Sequence, residues 1–283
     1  MKKKKVSLST VALVVIFFLG LALLLYPSVS DWWNSFHQSK AIVNYTEAVS
    51  RLSAEQYDQL WEEARNYNAS LLKRPNGYLL SPEQREKYGN LLNLANDGIM
   101  GYIEIPSISC ALPIYHGTEE SVLQVGIGHL DWTSLPAGGT SSHCVLSGHR
   151  GLPSATLFTH LDKLAPGDVF MLRVLDEILT YEIDQILIVE PHETSALLIS
   201  QNADYCTLLT CTPYGINSHR LLVRGTRIEN IKESSSIRVV ANATRVEPLI
   251  VAPVVASPFL LLTMVWLLLP RRNVPRKSGE VLE

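Results

Sequence analysis

Two apolar runs constrain what this chain can fold into more than any other feature. Val6 to Tyr26 is almost unbroken by polar groups and Leu249 to Leu269 repeats the pattern, so each run holds 21 residues. About 20 apolar residues are needed to cross the hydrocarbon core as a helix, and residues 6–26 and 249–269 are read as transmembrane helices. Pro253 and Pro258 imply that the second is kinked or tilted. Basic flanks stay on the cytoplasmic side of a membrane. Lys2 to Lys5 precede the first run, and Arg271, Arg272, Arg276 and Lys277 follow the second. Residues 1–5 and 270–283 are therefore expected as cytoplasmic tails, with everything between the spans outside the cell. Trp32 and Trp33 fit an interfacial anchor just beyond the first span. Ser28 and Ser30 leave a cleaved signal peptide as the alternative reading; the length of the first run favours a retained anchor.

The expected external portion carries 16 of the 24 basic and 25 of the 27 acidic residues, a net charge of −9. It lacks the basic footprint that nucleic-acid binding requires, which removes that class of partner. Four cysteines in an exported chain, Cys110, Cys144, Cys206 and Cys211, raise the question of a disulfide framework. If Cys211 serves chemistry, at most one bridge remains, and the other three read better as small buried hydrophobes. No clustered Cys or His ligand pattern implies zinc, and Glu119, Glu120 and Asp131 form no recognisable calcium loop. No metal and no cofactor is expected.

Between the spans, residues 31–97 read as a helical segment. Ile42, Tyr45, Val49 and Leu52 form one apolar stripe, and Leu60, Trp61, Ala64 and Leu71 another. Ser53 with Gln56 is a capping-box pair that separates the two. Ser81-Pro82-Glu83-Gln84 starts a further short helix, expected to reach about Leu94, and Lys73 to Tyr78 is a turn-rich connector. From Ile99 the texture changes to short β-prone runs divided by Gly, Pro and Asn: Met100–Ile105, Cys144–Ser147, Val169–Leu175, Ile178–Val189, Tyr205–Cys211 and Leu221–Ile228. Residues 98–240 are expected to form one mainly β domain with flanking helices.

Chemistry concentrates near the end of that domain. In Thr207 to Gly225, β-prone residues lead up to Cys211, Pro213, Gly215 and Asn217 make a turn, and apolar residues resume at Leu221. A strand–turn–strand puts Cys211 and Arg220 at facing strand ends. Upstream, Cys144 to Ser147 is a strand that delivers His149 into a bend flanked by Gly148 and Gly151. A thiol near its free pKa is mostly protonated at neutral pH, so an adjacent imidazole or cation is what makes it a useful nucleophile. A guanidinium offers fixed donors to an oxyanion. Arg224 has the same parity as Arg220 along the strand and reads as a surface or structural charge; His129 and His219 read as structural hydrogen-bonding groups. No carboxylate or amide that would orient His149 is assignable.

Thr210-Cys211-Thr212-Pro213-Tyr214-Gly215 followed by Ser218-His219-Arg220-Leu221-Leu222-Val223-Arg224-Gly225 resembles the active-site signature of sortases, and of class C, the pilus-assembly sortases, most closely. Gly126-Ile127-Gly128-His129-Leu130, Thr133-Ser134-Leu135-Pro136, Leu146-Ser147-Gly148-His149-Arg150-Gly151 and Leu157-Phe158-Thr159-His160-Leu161 extend the likeness in order from roughly Gly98 to Arg227.

The resemblance implies an eight-stranded sortase-like β-barrel with helices outside it, anchored in the cell membrane with both termini cytoplasmic. Its implied activity is a cysteine transpeptidation that cuts an LPxTG-like sorting signal and joins pilin subunits through lysine isopeptide bonds. Cys211 would be the nucleophile, His149 the proton carrier and Arg220 the oxyanion or substrate-holding group, the last selected because the family's arginine directly precedes the Leu-Leu-Val run. The alternatives are a sortase that anchors surface proteins to cell-wall precursor and a non-enzymatic membrane-tethered binding module. Many class C members carry an Asp-Pro-aromatic lid where Lys73 to Tyr78 falls. That triplet is absent from the connector, and Asp31-Trp32-Trp33 lacks the proline and lies close to the first apolar run, so no lid is assigned.

Overall fold

The structure, a computed structural model, describes residues 8–73, 80–230 and Ser257. Both expected basic tails, nearly all of the second apolar run, the stretch 231–240 and most of the Lys73 to Tyr78 connector lie outside the described residues.

Helix α1 (Leu8–Ser50) contains nearly all of the first apolar run and is long and apolar enough to cross a membrane. Leu13, Ile16, Leu19 and Leu23 stand exposed along its first part. The helix does not stop where that run stops: the sequence separates the apolar run from a helical segment beginning at residue 31, whereas the backbone passes Pro27 and stays helical to Ser50. Nothing beyond Pro27 breaks it, since residues 28–50 contain neither glycine nor proline. From Ser30 onward its polar side is tied to loops of the β domain. The Asp31 carboxylate accepts from the Thr156 amide (2.7 Å) and hydroxyl (2.9 Å), Asn34 donates to the Ser154 carbonyl (2.7 Å), and Gln38 donates to Val125 (3.0 Å). Further along, the Tyr45 hydroxyl donates to the Met100 carbonyl and accepts from the Leu175 amide.

Helices α2 (Ala54–Leu71) and α3 (Pro82–Asn90) start where the capping boxes at Ser53 and Ser81 place them, with both reciprocal bonds formed in each. α3 ends at Asn90, short of the expected Leu94. Leu91 turns extended and Leu92 takes a positive φ of 56°, and both side chains drop into the core, where burial outweighs another helical turn.

Eight strands close into a barrel: β1 (Ile99–Ile105), β2 (Cys110–His116), β3 (Ile127–His129), β4 (Ser142–Ser147), β5 (Val169–Val174), β6 (Glu177–Val189), β7 (Asp204–Thr212) and β8 (His219–Arg227), in the order β1-β2-β3-β4-β7-β8-β6-β5 with β5 returning to β1. This is the expected barrel. β2 and β3 were not expected as strands, because Pro113 interrupts the first and the second is three residues long. The β2–β3 and β4–β7 pairs are parallel and the others antiparallel. A short helix α4 (Glu120–Leu123) links β2 to β3.

Alternation along the strands sorts the two surfaces of the sheet. Cys206 and Leu208 of β7, Leu221 and Val223 of β8 and Ile183 of β6 belong to the main core with Phe170 and Tyr181. The opposite face of the same strands carries a smaller cluster, Val145, Leu197 and Leu222, with Leu130, Trp132, Leu187, Val189 and Leu209 against it. α2 seals the barrel through its buried Asn68, whose carbonyl oxygen accepts from the Leu135 amide (2.7 Å) and whose amide donates to the Leu135 carbonyl (3.2 Å). Replacing Asn68 with alanine strands both backbone groups away from water, at a cost of about 1–3 kcal/mol. Thermal unfolding of the detergent-solubilised variant is expected to show a matching fall in Tm.

Two imidazoles are structural struts. His143 bridges the Leu198 carbonyl (2.9 Å) and the Thr207 hydroxyl (2.7 Å), and His116 lies between the Gly98 (2.9 Å) and Leu91 (2.7 Å) carbonyls, to one of which its neutral ring donates. Burial pulls the pKa of each below the ordinary 6.5, and the Arg224 charge adds to the effect at His143. As pH falls below 6.5 the unfolded chain takes up protons these sites refuse, so their contribution to stability declines with acidification. The ring NMR signals of both histidines are expected to titrate below the pH at which free histidine does.

Candidate active site

Pairing registers, more than any single contact, assemble the site. β7 and β8 are antiparallel with Cys211 directly opposite Arg220, so the two side chains rise from the same face at the strand ends. β4 runs parallel to β7 with Ser147 level with Leu209. That register continues past the end of the strand: the Gly148 amide donates to the Leu209 carbonyl (3.0 Å), and the Thr210 hydroxyl donates to the Gly148 carbonyl (2.7 Å). His149 is the next residue, at the end of the sheet where β7 carries Cys211. Val145 and Ser147 alternate onto the face that also carries Leu209, Cys211, Leu222 and Arg220, so thiol and guanidinium share the outer surface of the sheet, and the chain leaving β4 reaches His149 two residues after Ser147.

Small residues permit the approach. A Cβ at Gly148 would lie 2.7 Å from both Ile127 and Phe158, so only glycine lets the chain pass tightly over the core just before His149. Gly151 has a φ of +79°, and a Cβ there would strike the Tyr214 ring at 2.6 Å. The bend after β4 and the turn after Cys211 therefore touch. Arg150 fastens them, donating to the Thr212 hydroxyl (3.2 Å) and to Asp162 (2.6 Å). Beside this seam a cleft of about 350 Å³ opens between Arg150, Asp162, Ile188, Thr212, Pro213 and Tyr214.

Cys211 is partly exposed, whereas Cys110, Cys144 and Cys206 are buried, and all four are free. The small-hydrophobe reading of those three agrees with this. Burial alone pushes the Cys110 thiol up to about 12, and it also raises Cys206. Arg220 donates to the Asn217 (3.2 Å) and His219 (3.1 Å) carbonyls, which fixes the start of its side chain's strand to the preceding turn. Arg224 does share the outer face, but it is bound through two nitrogens to Asp184 (3.0 and 2.8 Å) and lies over the Tyr205 ring. His129 is fully buried between the Tyr88 hydroxyl and the Ser134 carbonyl, and His219 bonds only its neighbour Ser218 among the described contacts. Arg224 and His129 are thus occupied by Asp184 and by Tyr88 and Ser134 respectively.

A carboxylate that the sequence reading weighed only as a calcium ligand stands next to His149. Glu120, the first residue of α4, places a carboxylate oxygen 3.4 Å from His149 Nε2. Its other oxygen accepts from the Gln124 amide at 3.1 Å. The Gln124 hydrogen bond, and then the His149 imidazole, hold the Glu120 carboxyl below the usual range. Glu120 lies 29 positions before His149, and no local pattern links them. Among the described residues no group of three or more His, Cys, Asp or Glu side chains is arranged to hold a metal ion.

Residues 103–228 match the family model described as the sortase domain. Sortase C1 of Streptococcus agalactiae is 46% identical and superposes with a TM-score of 0.67, over 68% of this chain and 100% of that one. The chain belongs to the sortase family. Two further crystal structures agree. Sortase C of Streptococcus pneumoniae, whose structure was described for catalysis and pilin substrate specificity, is 46% identical over 68% of this chain and 97% of its own, with a TM-score of 0.62. Sortase C of Clostridium perfringens, solved with the C-terminal cell wall sorting motif, is 45% identical over 68% and 99%, with a TM-score of 0.60. Sortase D of Bacillus subtilis (strain 168) is 33% identical over 131 residues, which span 45% of this chain and 63% of that protein. The strong structural matches are thus to sortases of the C type.

The exposure contrast among the thiols of this sortase predicts selective labelling. Iodoacetamide under native conditions is expected to add one equivalent, at Cys211, and the Cys211→Ala protein is expected to add none; mass spectrometry reads both.

Proposed function

We propose that this sortase is a membrane-anchored cysteine transpeptidase that polymerises pilins. Cys211 Sγ attacks the threonine carbonyl of an LPxTG-like sorting signal. The thiol proton passes to His149 as the sulfur attacks, the Thr–Gly C–N bond breaks, an acyl-thioester forms, and the glycine amine leaves with that proton handed on by His149. A neutral lysine amine of the next pilin then attacks the thioester and gives a proton to His149, the isopeptide bond forms as the C–S bond breaks, and His149 returns that proton to the released sulfur. Arg220 donates hydrogen bonds to the developing oxyanion or holds the peptide backbone beside it. No nucleotide or metal enters this scheme.

One observation supports the reading: the lone accessible thiol among the described cysteines is paired across the strands with Arg220 in a sortase barrel, and His149 follows two residues after the end of β4, the strand parallel to β7. The sorting-motif complex of the Clostridium perfringens relative and the pilin specificity discussed for the Streptococcus pneumoniae one support the substrate class. The apolar first part of α1 supports a membrane anchor. The basic ends of the sequence support a topology with both termini cytoplasmic and the barrel outside.

Incubation with a sorting-signal peptide is expected to leave a thioester adduct on Cys211. In cells, Cys211→Ala is expected to abolish high-molecular-weight pilin ladders while the protein still inserts in the membrane. Ladders that persist in the Cys211→Ala strain contradict the proposal.

A further inference from the structure

We infer that Glu120 is a positioning residue for His149, a carboxylate carried on α4 that fixes which ring nitrogen takes part in proton transfer. The inference rests on the role proposed for His149. Its geometric basis is the 3.4 Å approach of Glu120 Oε2 to His149 Nε2.

The carboxylate is itself held. Gln124, one helical turn on, occupies Oε1 at 3.1 Å and leaves Oε2 directed to the ring. α4 is also restrained at both ends. The Val122 and Leu123 amides bond the Glu119 carbonyl at 2.9 and 3.0 Å, and Gln38 of α1 donates to Val125 just after the helix. Leu123 packs against the backbone at Gly128 in β3. The chain segment around His149 is fixed independently by the Gly148 bonds to β7 and by the Phe158 amide, which donates to the His149 carbonyl at 3.1 Å. Two anchored backbones thus present a carboxylate and an imidazole to each other across 29 residues of sequence.

The chemical consequence is specific. A carboxylate facing Nε2 favours the tautomer that carries its hydrogen there, leaving Nδ1 as the nitrogen free to exchange protons with the sulfur and the amines. When the ring is transiently cationic, the same carboxylate stabilises it. Glu120 is well exposed, with 67% of its side chain accessible, so its effect is that of a solvent-screened pair.

The test uses the full chain in detergent, with a sorting-signal peptide as donor and an amine nucleophile as acceptor. Glu120→Gln and Glu120→Ala are expected to lower kcat by about fivefold, the scale of an exposed charge pair, with KM for the donor peptide little changed. Glu120→Asp is expected to recover part of the loss, and Glu119→Gln to behave as wild type. The ring-nitrogen NMR shifts of His149 are expected to move in Glu120→Gln while iodoacetamide still labels Cys211. Unchanged kcat in both Glu120→Gln and Glu120→Ala overturns the inference, as does a loss confined to KM, or His149 shifts that match wild type. Failure of the transpeptidase reading looks different: wild type itself then forms no thioester, and the NMR comparison still decides whether Glu120 governs the ring.

Discussion

The parallel pairing of β4 with β7 is the constraint on which the site depends. Antiparallel neighbours such as β7 and β8 are joined by a short turn, and their alignment follows from the turn. Parallel neighbours have no such link, and the alignment of β4 on β7 is held by its hydrogen-bond ladder, by buried partners such as Cys144 and Cys206, and by the Thr210–Gly148 bond at the end. A shift of one residue would send His149 to the interior face and bring Gly148 level with Cys211. The histidine two residues past β4 thus takes its starting point from that ladder.

Local chemistry was readable in the sequence to the extent that it was local. The turn after Cys211 and the resumption of apolar residues at Leu221 forecast a hairpin that faces Cys211 with Arg220. The capping boxes at Ser53 and Ser81 forecast the starts of α2 and α3 to the residue. The family resemblance, not periodicity, supplied the barrel. Pattern alone passed over β2 and β3, because a strand with an internal proline and a strand of three residues carry too little alternation to register. The proximity of Glu120 to His149 was illegible for a different reason: it arises where α4 and the bend after β4 meet, and nothing in either segment names the other.

The helical segment shows the same division. Its apolar stripes marked which side of α1 and α2 would be buried, and Tyr45, Trp61, Ala64 and Leu71 are buried as that pattern requires. What it did not show was that the polar residues Asp31, Asn34 and Gln38 would meet the loop after His149 and the end of α4. The stretch set aside for lacking a lid proline touches the loops that frame the site, and it does so through a helix rather than a strap.

Each of the eight strands has a neighbour on both sides. Extended peptides tend to pair, backbone to backbone, with any unoccupied strand margin. Closure removes that margin, so a captured tail has to be gripped by side chains and loops instead of being stitched into the sheet. An extended chain lying on such a sheet leaves without a ladder of main-chain bonds to unzip, and the barrel offers no free margin on which a fibre could grow.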